Sequence, residues 1–368
     1  MRCLIVHHWD ADGVSSAALL RILLGRGVFG EPPVEVTNVT PEIGVYSLEG
    51  LRRRIRGGYD LVILADICFS RGEVLRLKEL AGAERLWIFD HHHQEEVRGA
   101  GVVHVNPVIG GGWCPSASWL LAERFRTPSP RCEFLKVLGA VGDLEGRIRE
   151  TEAYRDVERF LGGVGMSFEE LLHAAELVDS NYRVGCVECV EEAVLKLLEV
   201  EKPQDVLEVA EWRGRAERVR AEIEKWVSGC GRRSRELTTA GGRSVLICEM
   251  DTRLHIISAV TRRLAAANPK KIVVVVNRGF ERGRGRQPEA EAEPEPEAEV
   301  EAERERRVRG GFLQIYVRTH LGVDLTPLIP YMRGRGCSAG GKREVVGVVA
   351  PPGAAALEGL EAFLARNF

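Results

Sequence analysis

The sequence predicts an α/β protein built as a doubly wound parallel-sheet domain, a helical connector and a smaller α/β domain. Three observations carry this reading. Short, continuously apolar runs of strand length alternate in the first half of the chain with segments of helical period, the pattern of a parallel sheet covered on both faces. From about residue 151 the periodicity becomes helical alone, and after GCGRRS the alternation of strand and helix resumes. The expected boundaries are therefore 1–150, 151–231 and 232–368. A length of 368 residues suits about two domains, and 45% hydrophobic residues suffice for their cores.

In the first domain, strands are expected at CLIVHH, VEVTNV, DLVILAD and RLWIFDHH, with helices near 14–24, 48–55 and 73–80. FEELLHAAELV, CVEEAVLKLLEV and AEWRGRAERVRAEIEKWV place apolar residues at helical spacing in the connector, and the spacing assigns Trp212 and Trp226 to packing. The last domain shows strands at SVLICEM, KIVVVVN, FLQIYVRT and EVVGVVAP, with helices near 256–266, 325–332 and 354–366.

The acidic segment QPEAEAEPEPEAEVEAE, residues 287–303, lies between KIVVVVN and FLQIYVRT and holds eight glutamates. Its charge and proline content, with Val300 as its one large apolar residue, predict a disordered insertion over about 281–309, open to a partner protein. Setting the segment aside moves the formal charge from −3 to +5. A mildly basic body suits a phosphate-rich ligand. No apolar run has the length of a membrane span and the first residues lack a signal-peptide pattern, so a cytoplasmic protein is expected. The nine cysteines are scattered, mostly inside apolar runs. Cys186 and Cys189, the one CxxC, are expected as packed thiols, with a bond between them left open as the alternative.

Chemistry concentrates at the ends of the first-domain strands, where open α/β sheets place their sites. HHWDADG offers His8, Asp10 and Asp12, DLVILAD ends on Asp66, and RLWIFDHHH ends on Asp90, His91, His92 and His93. LGAVGDLEG adds Asp143 after a run of small residues. Carboxylates and imidazoles without thiolates suit Mn²⁺ or a similar divalent ion, with Mg²⁺ or Co²⁺ as substitutes. Two such ions ~3.5–4 Å apart can activate water and clamp a phosphoryl group.

HWDADG, LAD, DHH and GAVGD, in this order, resemble the four motifs of the DHH phosphoesterase superfamily, which includes RecJ-like exonucleases, nanoRNases, cyclic dinucleotide phosphodiesterases and family II pyrophosphatases. The last domain resembles the DHH-associated domain, its substrate-contacting elements matched by YVRTH and GRGCSAGG. The resemblance covers nearly the whole chain outside the acidic insertion. It implies that His8 and Asp10 hold one metal, that Asp12, His91 and Asp143 hold another, and that Asp66 bridges them. Asp90 then orients the histidines and His92 contacts the scissile phosphate, while His7 and His93 fall outside the ligand set. Arg318, Gly334, Arg335, Gly336, Gly340 and Gly341 are implied in substrate binding. Where the family has three glycines and a histidine, this chain reads Gly334, Arg335, Gly336 and Cys337, which puts recognition of the substrate end in doubt. The activity implied is hydrolysis of single-stranded DNA or RNA or short oligonucleotides. Small phosphate substrates, a replication-associated binding role and a homodimer remain open alternatives.

Overall fold

The computed structural model describes residues 1–45, 47–48, 50–126, 129–280, 312–352 and 355–368. The acidic insertion expected at 281–309 lies outside the described residues. Two compact units, Met1–Ala216 and Glu217–Phe368, divide the chain.

In chain order the first unit contains β1 (Arg2–His7), α1 (Ala11–Gly25), β2 (Glu35–Val39), β3 (Leu61–Ala65), α2 (Arg71–Ala81), β4 (Arg85–Phe89), β5 (Val102–Val105), α3 (Ala117–Phe125), α4 (Pro130–Leu144), α5 (Tyr154–Val164), α6 (Phe168–Arg183) and α7 (Val187–Glu199). The next helix, α8 (Ala210–Gly229), runs across the boundary. The strands of the first unit form a wholly parallel sheet ordered β2-β1-β3-β4-β5.

Alternation along each strand separates two cores, because successive side chains point to opposite faces. Cys3, Ile5, Leu61, Ile63, Ala65 and Phe89 join the core that includes α1 and the later helices. Leu4, Val6, Val62, Leu64, Leu86 and Ile88 pack on the other face with α2. Helix α1 is buried around most of its circumference because it packs against β1, α3, α4 and α7 together. A helix covered on all sides is expected to be apolar all round, as VSSAALL and ILL are.

The second unit adds β6 (Ser234–Thr238), β7 (Ser244–Met250), α9 (Ile257–Ala267), β8 (Lys271–Asn277), β9 (Leu313–Thr319), α10 (Leu328–Arg333), β10 (Ser338–Lys342), β11 (Val345–Ala350) and α11 (Ala356–Asn367). Its mixed sheet is ordered β10-β11-β9-β8-β7-β6, with β7 and β8 parallel and the other pairs antiparallel.

Two expectations need correction. Where a helix is expected near 48–55, residues 50–54 form turns, with the Leu51 and Arg52 amides donating to the Leu48 carbonyl. So short a stretch has too few propagating bonds to offset helix nucleation, and Gly57 and Gly58 at φ 73° and 74° end it. Cys186 and Cys189 are joined as a disulfide. Cys186 caps α7, and the first turn brings the two Cα atoms to 5.2 Å, within the range a disulfide spans. Trp212 and Trp226 are buried, as packing residues would be. Among the described residues, no helix is long and apolar enough to cross a membrane.

Candidate metal centre

The site is assembled at the C-terminal ends of β1, β3 and β4. The chain leaves β1 through His8 and turns into α1 at Asp10, whose Oδ1 caps the helix by accepting the Gly13 amide at 3.1 Å. Asp10 Oδ2 lies 2.8 Å from His8 Nδ1. A Cβ at Gly13 would stand 2.3 Å from the His8 carbonyl oxygen, so only glycine lets the helix start this close to the strand end. Asp12, in the first turn of α1, is buried, and its carboxylate accepts the Ala117 and Ser118 amides at 2.6 and 3.0 Å. These amides open α3, where free N–H groups and the helix dipole favour an anion.

Asp66 follows β3 directly with φ 59°, left-handed backbone that a non-glycine residue rarely adopts. Its amide donates to the Phe89 carbonyl at 2.9 Å, so the end of β4 holds this turn. Asp90 is fully buried and saturated: Oδ1 accepts the amides of His91 and His92 at 2.7 and 3.1 Å and lies 2.7 Å from His92 Nδ1, while Oδ2 accepts from Gln94 Nε2 at 2.5 Å. It orients the two histidines.

His91 Nδ1 faces the Cys114 carbonyl at 3.4 Å. A carbonyl only accepts, so Nδ1 carries a proton, and Nε2 faces Asp66 Oδ1 at 3.4 Å, Asp143 Oδ2 at 3.8 Å and Asp12 Oδ2 at 4.0 Å.

Ligand atoms from His8, Asp10 and Asp66 lie within 4.8 Å of one another, as do those from Asp66, His91 and His92. Asp66 belongs to both groups. His92 Nδ1 lies 3.9 Å from Asp66 Oδ1 but is already held by Asp90 at 2.7 Å, which leaves Nε2 as its other nitrogen. Asp12 and Asp143 reach the second group through His91. The histidines outside the expected ligand set differ: His7 is fully buried, its Nδ1 held 2.7 Å from the His8 carbonyl, and His93 is exposed.

The electrostatics fit divalent cations. Burial, then the charges of Asp12, Asp10, Asp90 and Asp143, hold Asp66 well above the usual carboxylate range. Burial and the neighbouring carboxylates also raise Asp143, although His91 opposes them. Partial burial disfavours a charged His92, yet the Asp90 hydrogen bond and charge prevail and lift it to about 9. Asp66 Oδ1 and His91 Nε2 are buried without a hydrogen-bond partner. These atoms lie 3.4 Å apart amid crowded acids, where like charges resist ionising together and a divalent ion could be held. Oxygen and imidazole donors suit Mn²⁺ or Mg²⁺.

Several supporting residues lie outside the expected ligand set. Gly139 in α4 makes room for Asp12, since a Cβ there would lie 2.2 Å from Ser118 Oγ and 2.5 Å from Asp12 Oδ1. Gly142 does the same for Ala11, at 2.7 Å from its Cβ. The small residues of LGAVGD were the available signal. Asp179 had none: from α6 its Oδ1 accepts the Ala11 amide, between the two aspartates of DADG, at 2.9 Å, and Arg183 holds its Oδ2 at 3.0 Å. Burial pushes the Asp179 carboxyl up to about 6 despite Arg183. Asp179→Ala is expected to cost ~10–100-fold in Mn²⁺-supported turnover, the usual penalty for losing a group that orients a ligand. His93→Ala is expected to cost less than ~10-fold, as befits a residue outside the ligand set. Steady-state kinetics on one short oligonucleotide checks both.

In the second unit, Arg318 lies on β9 in register with Val273 and Val345. Gly334 closes α10, and the Arg335 guanidinium sits 3.8 Å from the Tyr331 ring centroid. Gly336 has φ 77°. Cys337 is buried in the second core. Gly340 and Gly341 belong to edge strand β10, opposite Gly347 and Val346, and a Cβ at Gly341 would lie 2.2 Å from the Val345 carbonyl oxygen.

No protein-family model and no curated protein sequence matches the chain. Solved structures do. The exonuclease RecJ bound to manganese is similar with a TM-score of 0.55 at 16% identity, covering 95% of this chain and 86% of that one. The DHH domain of a member of the s1p family of ribosomal proteins gives 0.65 at 16% identity, covering 98% and 85%. RecJ from Thermus thermophilus in complex with Mn²⁺ gives 0.58 at 17% identity, covering 99% of this chain but 50% of that protein, so the chain spans about half its length. The sheet that gathers HWDADG, LAD and DHH at its strand ends, the mixed sheet after it and these likenesses lead to one conclusion: the chain has the fold of the DHH-domain proteins.

Proposed function

We propose that this chain is a metal-dependent phosphoesterase that hydrolyses phosphodiester bonds in single-stranded nucleic acid or short oligonucleotides. The observation that supports it most is the position of Asp66, a buried carboxylate common to two groups of ligand atoms, with one oxygen lacking any hydrogen bond. In this reading His8, Asp10 and Asp66 hold one ion, and Asp66, Asp12, His91 and Asp143 hold a second. Bound Mn²⁺, with Mg²⁺ or Co²⁺ as substitutes, supplies charge neutralisation of the phosphoryl oxygens and activation of water. The chain's own groups do the rest. Asp90 fixes the His92 ring through Nδ1, so that a protonated Nε2 can donate to a phosphoryl or leaving-group oxygen. The Asp12 carboxylate is immobilised by two amides, which keeps the site organised between turnovers.

The formal charge of +5 outside the acidic segment agrees with an anionic substrate. Arg318 then binds a substrate phosphate. Arg318→Ala is expected to cost ~10–100-fold in kcat/KM through a lost charge-assisted contact, and Cys337→Ala less than about fivefold. Neither belongs to the ligand set, so both variants are expected to bind Mn²⁺ as the parent does.

The deciding experiment is a Mn²⁺ activity panel of end-labelled single strands of graded length beside a nucleoside bisphosphate, a cyclic dinucleotide, pyrophosphate and polyphosphate. Cleavage of the strands is expected. Turnover confined to the small phosphates replaces the proposed substrate class, and no turnover with any of them removes the enzyme reading.

A further inference from the structure

Of the six tryptophans, Trp9, Trp119, Trp212 and Trp226 are buried, Trp87 is half-buried, and only Trp113 is exposed, at 56%. Exposing so large an apolar ring forgoes burial that the fold exploits everywhere else. Its place in the chain is specific. Trp113 lies in the segment 106–118, which is anchored at three points to the metal-site residues. Asn106 Nδ2 donates to the His92 carbonyl at 2.9 Å. The Cys114 carbonyl, one residue after the ring, faces His91 Nδ1 at 3.4 Å. The Ala117 and Ser118 amides hold Asp12.

Between these anchors, Ile109 through Trp113 are all exposed. The turn is nevertheless fixed: the Gly111 amide donates to Val108 and the Gly112 amide to Pro107, each at 3.0 Å, and Gly111 adopts φ 81°. A Cβ at Gly112 would press on the Pro107 carbonyl oxygen at 3.0 Å. The glycine run thus presents one large aromatic ring from a backbone tied to both histidines of the DHH motif.

We propose that Trp113 is a stacking platform for a nucleobase of the substrate, so that the site selects nucleobase-bearing phosphodiesters over phosphates without a base. This rests on the phosphodiesterase reading above and adds its specificity. Every base has a π-face, so such a platform grips single-stranded substrates without reading sequence. Trp113 positions substrate and takes no part in the bond exchange. Its loss is therefore felt in KM, with kcat little changed.

The test uses the full chain, a trinucleotide and counterparts carrying a tetrahydrofuran abasic unit at one position. With Mn²⁺, wild type is expected to show a KM about tenfold lower for the trinucleotide than for at least one counterpart, within the range of base–aromatic stacking. Trp113→Ala is expected to shrink that preference below about twofold, and Trp113→Phe to retain most of it. In EDTA, where turnover is absent, the trinucleotide is expected to quench tryptophan emission in wild type and not in Trp113→Phe. Equal KM ratios in wild type and Trp113→Ala, or emission that the trinucleotide leaves unchanged, overturns the platform. Quenching without hydrolysis in Mn²⁺ removes the phosphodiesterase reading and leaves the base-stacking surface standing.

Discussion

Asp66→Asn is expected to lower turnover by at least ~10³-fold in Mn²⁺-replete buffer, because one carboxylate serves both groups of ligand atoms. Asparagine preserves shape and tolerates the left-handed backbone at φ 59°, so the loss isolates the charge. The metal-free protein is expected to behave in the opposite sense. Asp66 is buried against Asp12, Asp10, Asp90 and Asp143, and an acid raised by such neighbours weakens the fold once it ionises. In EDTA at neutral pH, Asp66→Asn should therefore melt at or above the wild-type temperature. Added Mn²⁺ should raise the wild-type Tm and raise that of the variant much less, since a ligand stabilises only the state it binds. Calorimetry with and without Mn²⁺, paired with kinetics, checks both halves. Near-normal turnover of Asp66→Asn would exclude Asp66 as a shared ligand.

Gly13→Ala is expected to destabilise the first unit by ~3 kcal/mol, the upper end of ordinary overpacking. The new methyl would stand 2.3 Å from the His8 carbonyl oxygen and 2.7 Å from its Cα, both backbone atoms that cannot swing aside. Relief requires α1 to withdraw from the end of β1, which carries Asp10 and Asp12 away from His8. Activity should fall with stability. Gly25→Ala, at the other end of the same helix, meets nothing within 4 Å and is expected to be neutral or stabilising by up to ~1 kcal/mol. Denaturant midpoints for the two variants make the comparison, and equal midpoints would mean the strand end does not fix the helix start.

The acids and histidines of the site were legible in the chain because each closes an apolar strand or opens the helix that follows, and the parallel sheet aligns those ends on one edge. His8, Asp66 and Asp90 stand immediately beyond β1, β3 and β4. The continuous apolar runs of the strands were equally visible, and His7, at the last position of β1, is buried like the four residues before it. Three strands were not: β6, SRELT, and β10, SAGGK, carry no apolar run, and β5, VVHV, is only four residues long. Near 48–55 the apolar spacing of Leu48, Leu51 and Ile55 reflects their packing on the α2 side of the sheet, which turns satisfy as well as a helix would.

What the sequence determined by itself is the class of fold, the order of the motifs and the kinds of ligand atom they bring. The tertiary structure alone decided how those atoms are held. Asp12 meets the Ala117 amide across 105 residues and Asp179 meets the Ala11 amide across 168, and neither contact leaves a periodic trace. The exposure of Trp113 belongs to the same class. Each depends on where a turn places a side chain relative to distant backbone, and residue type and spacing constrain that only after the chain has packed.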